Sequence, residues 1–209
     1  INAPGPQVSE QAQEQLLKLI AVIGPEFDAV VVAGSLPRGV SPQWFQGLLE
    51  TLKDLGLKVA LDTSGQALRA GLKAAPWLIK PNTEELAEAL DCPTQTVAQQ
   101  ALAAERLHAQ GVEHVVVSHG ADGVNWFSRS AALHATPPKV SVASTVGAGD
   151  SLLAGMLHGL LSGEAPEQTL RRATAIAAMA VTQIGFGISD DAQLARLESG
   201  VAVRPLTEQ

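Results

Sequence analysis

Short apolar runs alternate with stretches of helical spacing along most of the chain, and this alternation limits the available folds more than any single motif does. Phe27-Asp28-Ala29-Val30-Val31-Val32-Ala33 is nearly continuous in apolar character and is broken by Gly34-Ser35-Leu36-Pro37-Arg38-Gly39. Runs of that kind suit a strand buried on both faces. Ser41-Pro42 then supplies a cap and a first-turn proline, and Trp44, Phe45, Leu48, Leu49 and Leu52 follow at core spacing up to Gly56. The same reading places strands at 57–61, 77–80, 114–118 and 124–127 and near Leu133. It places helices from Ser9 through Ile20, up to about Lys73, through Leu90, over about 95–110, from Pro166 onward and over about 192–197. Strand and helix in alternation argue for one α/β domain over 1–209, with a parallel sheet, right-handed crossovers and helices on both faces. Ligands of such sheets bind beyond the carboxyl ends of the strands.

Composition narrows the function. The 14 basic residues against 21 acidic ones give a net charge of −7, which disfavours a nucleic-acid surface. Anionic ligands must then be held by backbone amides, a few cations and a metal ion. The longest apolar stretches, such as 173–181, are too short for a membrane span, and the first residues lack a signal peptide's pattern, so a cytoplasmic protein is expected. Ile1 to Pro6 reads as the tail of something upstream. Cys92, the single cysteine, has no partner for an internal disulfide and reads as a small apolar group.

Ser144-Thr145-Val146-Gly147-Ala148-Gly149-Asp150-Ser151 leads into Leu152, Leu153, Met156, Leu157, Leu160 and Leu161, a loop entering a helix. First-turn N–H groups lack intrahelical partners and lie at the positive end of the dipole, and Gly147, Ala148 and Gly149 would shield them little from a phosphate. Asp150 stands at the lip, where the dipole favours a charged carboxylate able to accept a proton. By itself G-x-G-D is more often a glycine-rich turn with an ordinary cap or first-turn acid.

Three further loops carry candidate chemistry. Gly34 to Gly39 offers a hydroxyl and a cation for a sugar hydroxyl or phosphate, or is only a turn. In Lys80-Pro81-Asn82-Thr83-Glu84-Glu85 the proline delays the helix start, and Asn82 with Glu85 reads as a capping box. Ser118-His119-Gly120-Ala121-Asp122-Gly123 is a glycine pattern that is usually a hairpin turn. Asp62, in D-T-S-G, either supports the substrate loop or turns the chain. His108, His114, His134 and His158 show no metal-ligand spacing, His119 reads as surface, and Trp44, Trp77 and Trp126 read as core.

From Ser144 to Leu157 the chain resembles the C-terminal signature of the ribokinase-like sugar kinases, the phosphofructokinase-B family. The resemblance implies a three-layer αβα sandwich with a mostly parallel central sheet. It implies ATP and Mg2+, with Asp150 as base and Gly147, Ala148 and Gly149 as an anion hole. Ser35 becomes a contact to the sugar phosphate. Lys80, Asn82, Ser118, Gly120 and Gly123 lie on the ATP side, and Glu85 with Asn82 holds the magnesium environment, generally through water. The phrase from Leu72 to Asn82 resembles the branch that converts fructose 1-phosphate to fructose 1,6-bisphosphate. Tagatose 6-phosphate and fructose 6-phosphate are alternative acceptors, and a vitamin kinase fits the G-S-L-P loop less well. A non-catalytic dinucleotide-binding domain would need a third glycine that Gly147-Ala148-Gly149 lacks. The family's glycine-rich sugar motif and lid sheet, which serves as a homodimer surface, have no counterpart in the sequence, so weak or no turnover is expected of these residues alone.

Overall fold

Several helix starts are set by side-chain caps whose partners lie only three residues away. In the computed structural model, which describes residues 5–185, 187–188 and 190–206, Ser9 Oγ accepts the Ala12 N–H at 3.2 Å and opens α1 (Glu10–Ile23). After β1 (Ala29–Ala33), Ser41 Oγ accepts from the Trp44 N–H at 3.1 Å, with Pro42 first in α2 (Pro42–Asp54). Next come β2 (Lys58–Asp62), α3 (Gly65–Lys73) and β3 (Leu78–Ile79). Reciprocal capping boxes, Asn82 with Glu85 and Thr96 with Gln99, start α4 (Thr83–Leu90) and α5 (Val97–Gln110). β4 (His114–Ser118) follows.

The chain divides into two compact units, Ile1–Val115 and Val116–Gln209. Within the first, β1 to β4 pair in chain order and in parallel, with Ala33 opposite Asp62 and Ile79 opposite both Leu61 and Val115. That register lines up the carboxyl ends of β1, β2 and β3. The core is made by Phe45, Leu49 and Leu52 of α2, Leu68 of α3, and Val59 and Leu61 of β2, all buried. Each fully buried large side chain contributes about 1.5–3 kcal/mol. α1 buries only Gln13, whose Nε2 donates to the Gly39 carbonyl at 3.0 Å, and Leu19 and Val22 remain exposed.

The second unit holds the rest of β4, then β5 (Val124–Ser128), β6 (Ala132–Thr136), α6 (Ala148–Leu161), α7 (Pro166–Ala180), α8 (Asp191–Gly200) and β7 (Ala202–Pro205). β5 pairs antiparallel with β6, since the tight turn after Ser128 is far too short for a parallel crossover, and β7 pairs antiparallel with β6 on its other side. α6 packs closely on α7 through its glycines. A Cβ at Gly155 would stand 2.6 Å from Ala173 Cα, and one at Gly159 would stand 2.5 Å from Thr169 Oγ1. No described helix is long and apolar enough to cross a membrane.

Three expectations are corrected, while the strands expected at 124–127 and near Leu133 are present as β5 and β6. β7 is a strand that the sequence pattern does not announce. The last helix runs Asp191–Gly200, longer at both ends than expected, with Asp190 as its cap. Trp44 and Trp77 are half-buried rather than core; the Trp77 Nε1–H donates to Glu113 Oε2 at 3.0 Å, so its polar edge must stay near the surface, whereas Trp126 is buried.

Candidate functional site

In the second unit α6 starts without a side-chain cap. The residue before it, Gly147, takes the left-handed conformation at φ 81°. Its carbonyl accepts the Ser151 N–H at 2.9 Å, and the Ala148 N–H reaches Thr145 O at 3.4 Å. The Gly149 and Asp150 N–H groups fall in the first turn, where a helix offers them no acceptor. Asp150 is exposed, and with Gly147 and Ser151 it lines a cavity of about 780 Å³ walled by α6, α7 and α8. Arg172 also lines it, but its charge is matched: Nη1 lies 2.6 Å from Glu164 Oε1 and Nε 3.7 Å from Glu198 Oε2.

The Ser118 loop closes on itself in the same unit. The His119 N–H donates to Gly123 O at 2.8 Å around a single 3₁₀ turn, Gly120–Asp122. Gly120 faces open space, whereas a side chain on Gly123, at φ 109°, would collide with the Ala135 carbonyl of β6. The need for glycine at 123 is therefore one of packing, whatever else the loop does. His119 is half-buried. His134 beside it shares hydrogen bonds with Asn125 Oδ1 at 2.7 Å and Thr136 Oγ1 at 3.0 Å, and burial, followed by the Arg204 charge, lowers its pKa.

In the first unit the ends of three parallel strands are tied together. The Gly34 N–H donates to Asp62 O at 2.9 Å, and Thr63 Oγ1 donates to Gly34 O at 2.6 Å. Lys80 Nζ lies 3.1 Å from Asp62 Oδ2. Ser35, next to the clamped glycine, is exposed. Arg38 of the same loop points elsewhere, its Nε–H donating to Gly5 O at 3.1 Å. Asn82 and Glu85 occupy each other: the Glu85 N–H donates to Asn82 Oδ1 at 2.8 Å and the Asn82 N–H to Glu85 Oε2 at 2.9 Å. Among the described residues no group of three His, Cys, Asp or Glu side chains could hold a metal ion unaided. A magnesium ion that keeps its waters and rests on one carboxylate plus phosphate oxygens fits this donor set.

Sequence reasoning missed Thr63 and the Arg172 cluster. A polar residue just past a buried strand was the available signal for Thr63, while Glu164 and Glu198 are too distant in sequence from one another to be paired by spacing.

The profile of the pfkB family carbohydrate kinases matches residues 1–193, and the chain belongs to that family. Over 206 residues it is 44% identical to the 1-phosphofructokinase of Vibrio cholerae, covering 99% of this chain and 65% of that protein. It is 47% identical over 180 residues to the 1-phosphofructokinase of Escherichia coli K12, covering 86% and 58%. Phosphofructokinase-2 of E. coli, solved in complex with potassium, superposes with a TM-score of 0.85 at 26% identity over 95% of this chain and 65% of that one. The fold is therefore the ribokinase-like αβα sandwich. The chain spans only 58–65% of the length of these relatives.

Proposed function

We propose that this chain carries the phosphoryl-transfer machinery of an ATP-dependent sugar-phosphate kinase whose acceptor is fructose 1-phosphate. The observation that carries the reading is the mouth of α6: an uncapped helix start behind a left-handed glycine, with the exposed Asp150 carboxylate beside it on an open cavity. Asp150 takes the proton of the C6 hydroxyl, the freed oxygen bonds to the γ-phosphorus of ATP, and the bond to the β-phosphate oxygen breaks to release ADP. The amides of Gly147 to Asp150 receive the negative charge that gathers on the moving phosphoryl group. Such a transfer relies on positioning and electrostatics more than on covalent chemistry by the protein.

On the same reading, which here follows the family resemblance, the Ser35 loop takes the acceptor's phosphate and the Asn82–Glu85 turn belongs to the magnesium environment. Bound magnesium supplies positive charge to the phosphates. Ser118, Gly120 and Gly123 form the nucleotide loop; Gly120, with open space above it, is the point where a base or ribose can approach closely. Lys80, which the family resemblance puts on the nucleotide side, is paired with Asp62 at 3.1 Å and so also holds the strand ends.

The similarity to two 1-phosphofructokinases at 44% and 47% identity favours fructose 1-phosphate over fructose 6-phosphate or tagatose 6-phosphate. The test is ADP release by the whole protein with the three sugars side by side. A kcat/KM highest for fructose 1-phosphate supports the assignment, and a higher value for either 6-phosphate overturns it.

A further inference from the structure

Thr63 stands one residue past β2 and is only 6% exposed, an unusual place for a hydroxyl unless it has a fixed partner. The partner is the Gly34 carbonyl at 2.6 Å, while the Gly34 N–H is taken by Asp62 O at 2.9 Å. Both backbone groups of Gly34 are thus held, in a residue at φ 88° whose lack of a side chain would otherwise leave the loop free to swing. Thr63 is β-branched and stiff at χ1, so the hydroxyl is aimed with little further loss of entropy. Behind it the Asp62–Lys80 pair fixes the end of β2 against that of β3.

We infer that Thr63 is a positioning residue: by holding Gly34 from a neighbouring strand end it sets the direction in which Ser35 meets the phosphate of the acceptor sugar. This rests on the proposed role of Ser35. Thr63 touches no substrate itself, and its effect belongs to acceptor binding alone.

Steady-state kinetics of the whole protein with Thr63→Val, Thr63→Cys and Thr63→Ser test this. Valine keeps the shape and removes the donor, cysteine leaves a weak donor, and serine keeps the hydroxyl. The expected result is a KM for fructose 1-phosphate raised about 5- to 30-fold in Thr63→Val, with KM for ATP within about twofold of wild type. Thr63→Ser restores most of the loss and Thr63→Cys falls between, which carries the test if the valine variant does not fold. A lowered melting temperature with both KM values unchanged, or both raised together, overturns the inference. Robust wild-type activity with no acceptor effect at Thr63 sinks this inference alone; a wild-type protein that phosphorylates no sugar phosphate sinks the kinase reading and takes this one with it.

Discussion

Lys80 Nζ and Asp62 Oδ2 lie 3.1 Å apart with side chains only 7% and 17% exposed, joining the carboxyl ends of two parallel strands. Removing one partner leaves a charge in a place water reaches poorly, whereas the intact pair is worth little over an apolar substitute. Asp62→Asn should therefore destabilise the protein by about 3–5 kcal/mol, and Lys80→Met with Asp62→Leu should recover most of that loss. Urea unfolding of the single and double variants measures both. A double variant as unstable as Asp62→Asn would show that the pair is needed for more than charge balance.

What the sequence discloses and what it hides divide along the range of the interaction. Ser9, Ser41 and Asn82 are readable as caps because each acts on an N–H three residues ahead. The strand ends at Gly34, Asp62 and Lys80 are readable for the same reason, since a change from apolar run to turn residue is local. That Asp62 bonds Lys80, or Thr63 bonds Gly34, depends on which strands become neighbours, and no spacing rule holds that information. β7 is hidden for a further reason: Ala202-Val203-Arg204-Pro205 is only four residues long and ends in proline, which argues against a strand, and it is ordered by pairing with β6. Trp44 and Trp77 mislead because a large aromatic can cover a core from its rim.

The contact between α6 and α7 predicts the opposite sign from helix propensity at Gly155. Gly→Ala in a helix interior gains up to about 1 kcal/mol when nothing opposes it. Here the new methyl would stand 2.6 Å from Ala173 Cα, a backbone atom that cannot turn aside, so the helices must separate. Gly155→Ala should lower stability by about 1–3 kcal/mol. Thermal unfolding by circular dichroism reads the result, and an unchanged or raised melting temperature would mean that α7 shifts freely.

His114 sets a pH dependence on folding. Burial lowers its pKa from 6.5 to about 4, outweighing the nearby Glu113 charge, which raises it. The unfolded chain then binds a proton between about pH 6.5 and pH 4 that the folded chain refuses, so stability falls as pH drops through that window. The slope for one proton is at most about 1.4 kcal/mol per pH unit, less where water screens the ring. His134, shifted the same way by burial, adds to it. Urea midpoints from pH 7.5 down to 4.5 should decline in the wild type and more gently in His114→Gln. Parallel profiles would place the dependence elsewhere.

Asp150 is exposed at the α6 mouth, so its loss should leave folding intact and fall on chemistry. Asparagine keeps the size and the hydrogen-bonding edge but accepts no proton at neutral pH. In the whole protein Asp150→Asn should cut kcat by roughly 10²–10⁴, the usual contribution of a positioned general base, with KM for ATP little changed. Steady-state assays at saturating sugar phosphate give kcat, and a nucleotide titration gives the rest. The two readouts separate a base from a structural acid: a carboxylate that merely shapes the turn would move nucleotide affinity and melting temperature together and leave turnover of the bound complex near the wild-type rate. Wild-type turnover in Asp150→Asn would remove the base from the mechanism and leave α6 as an anion site alone.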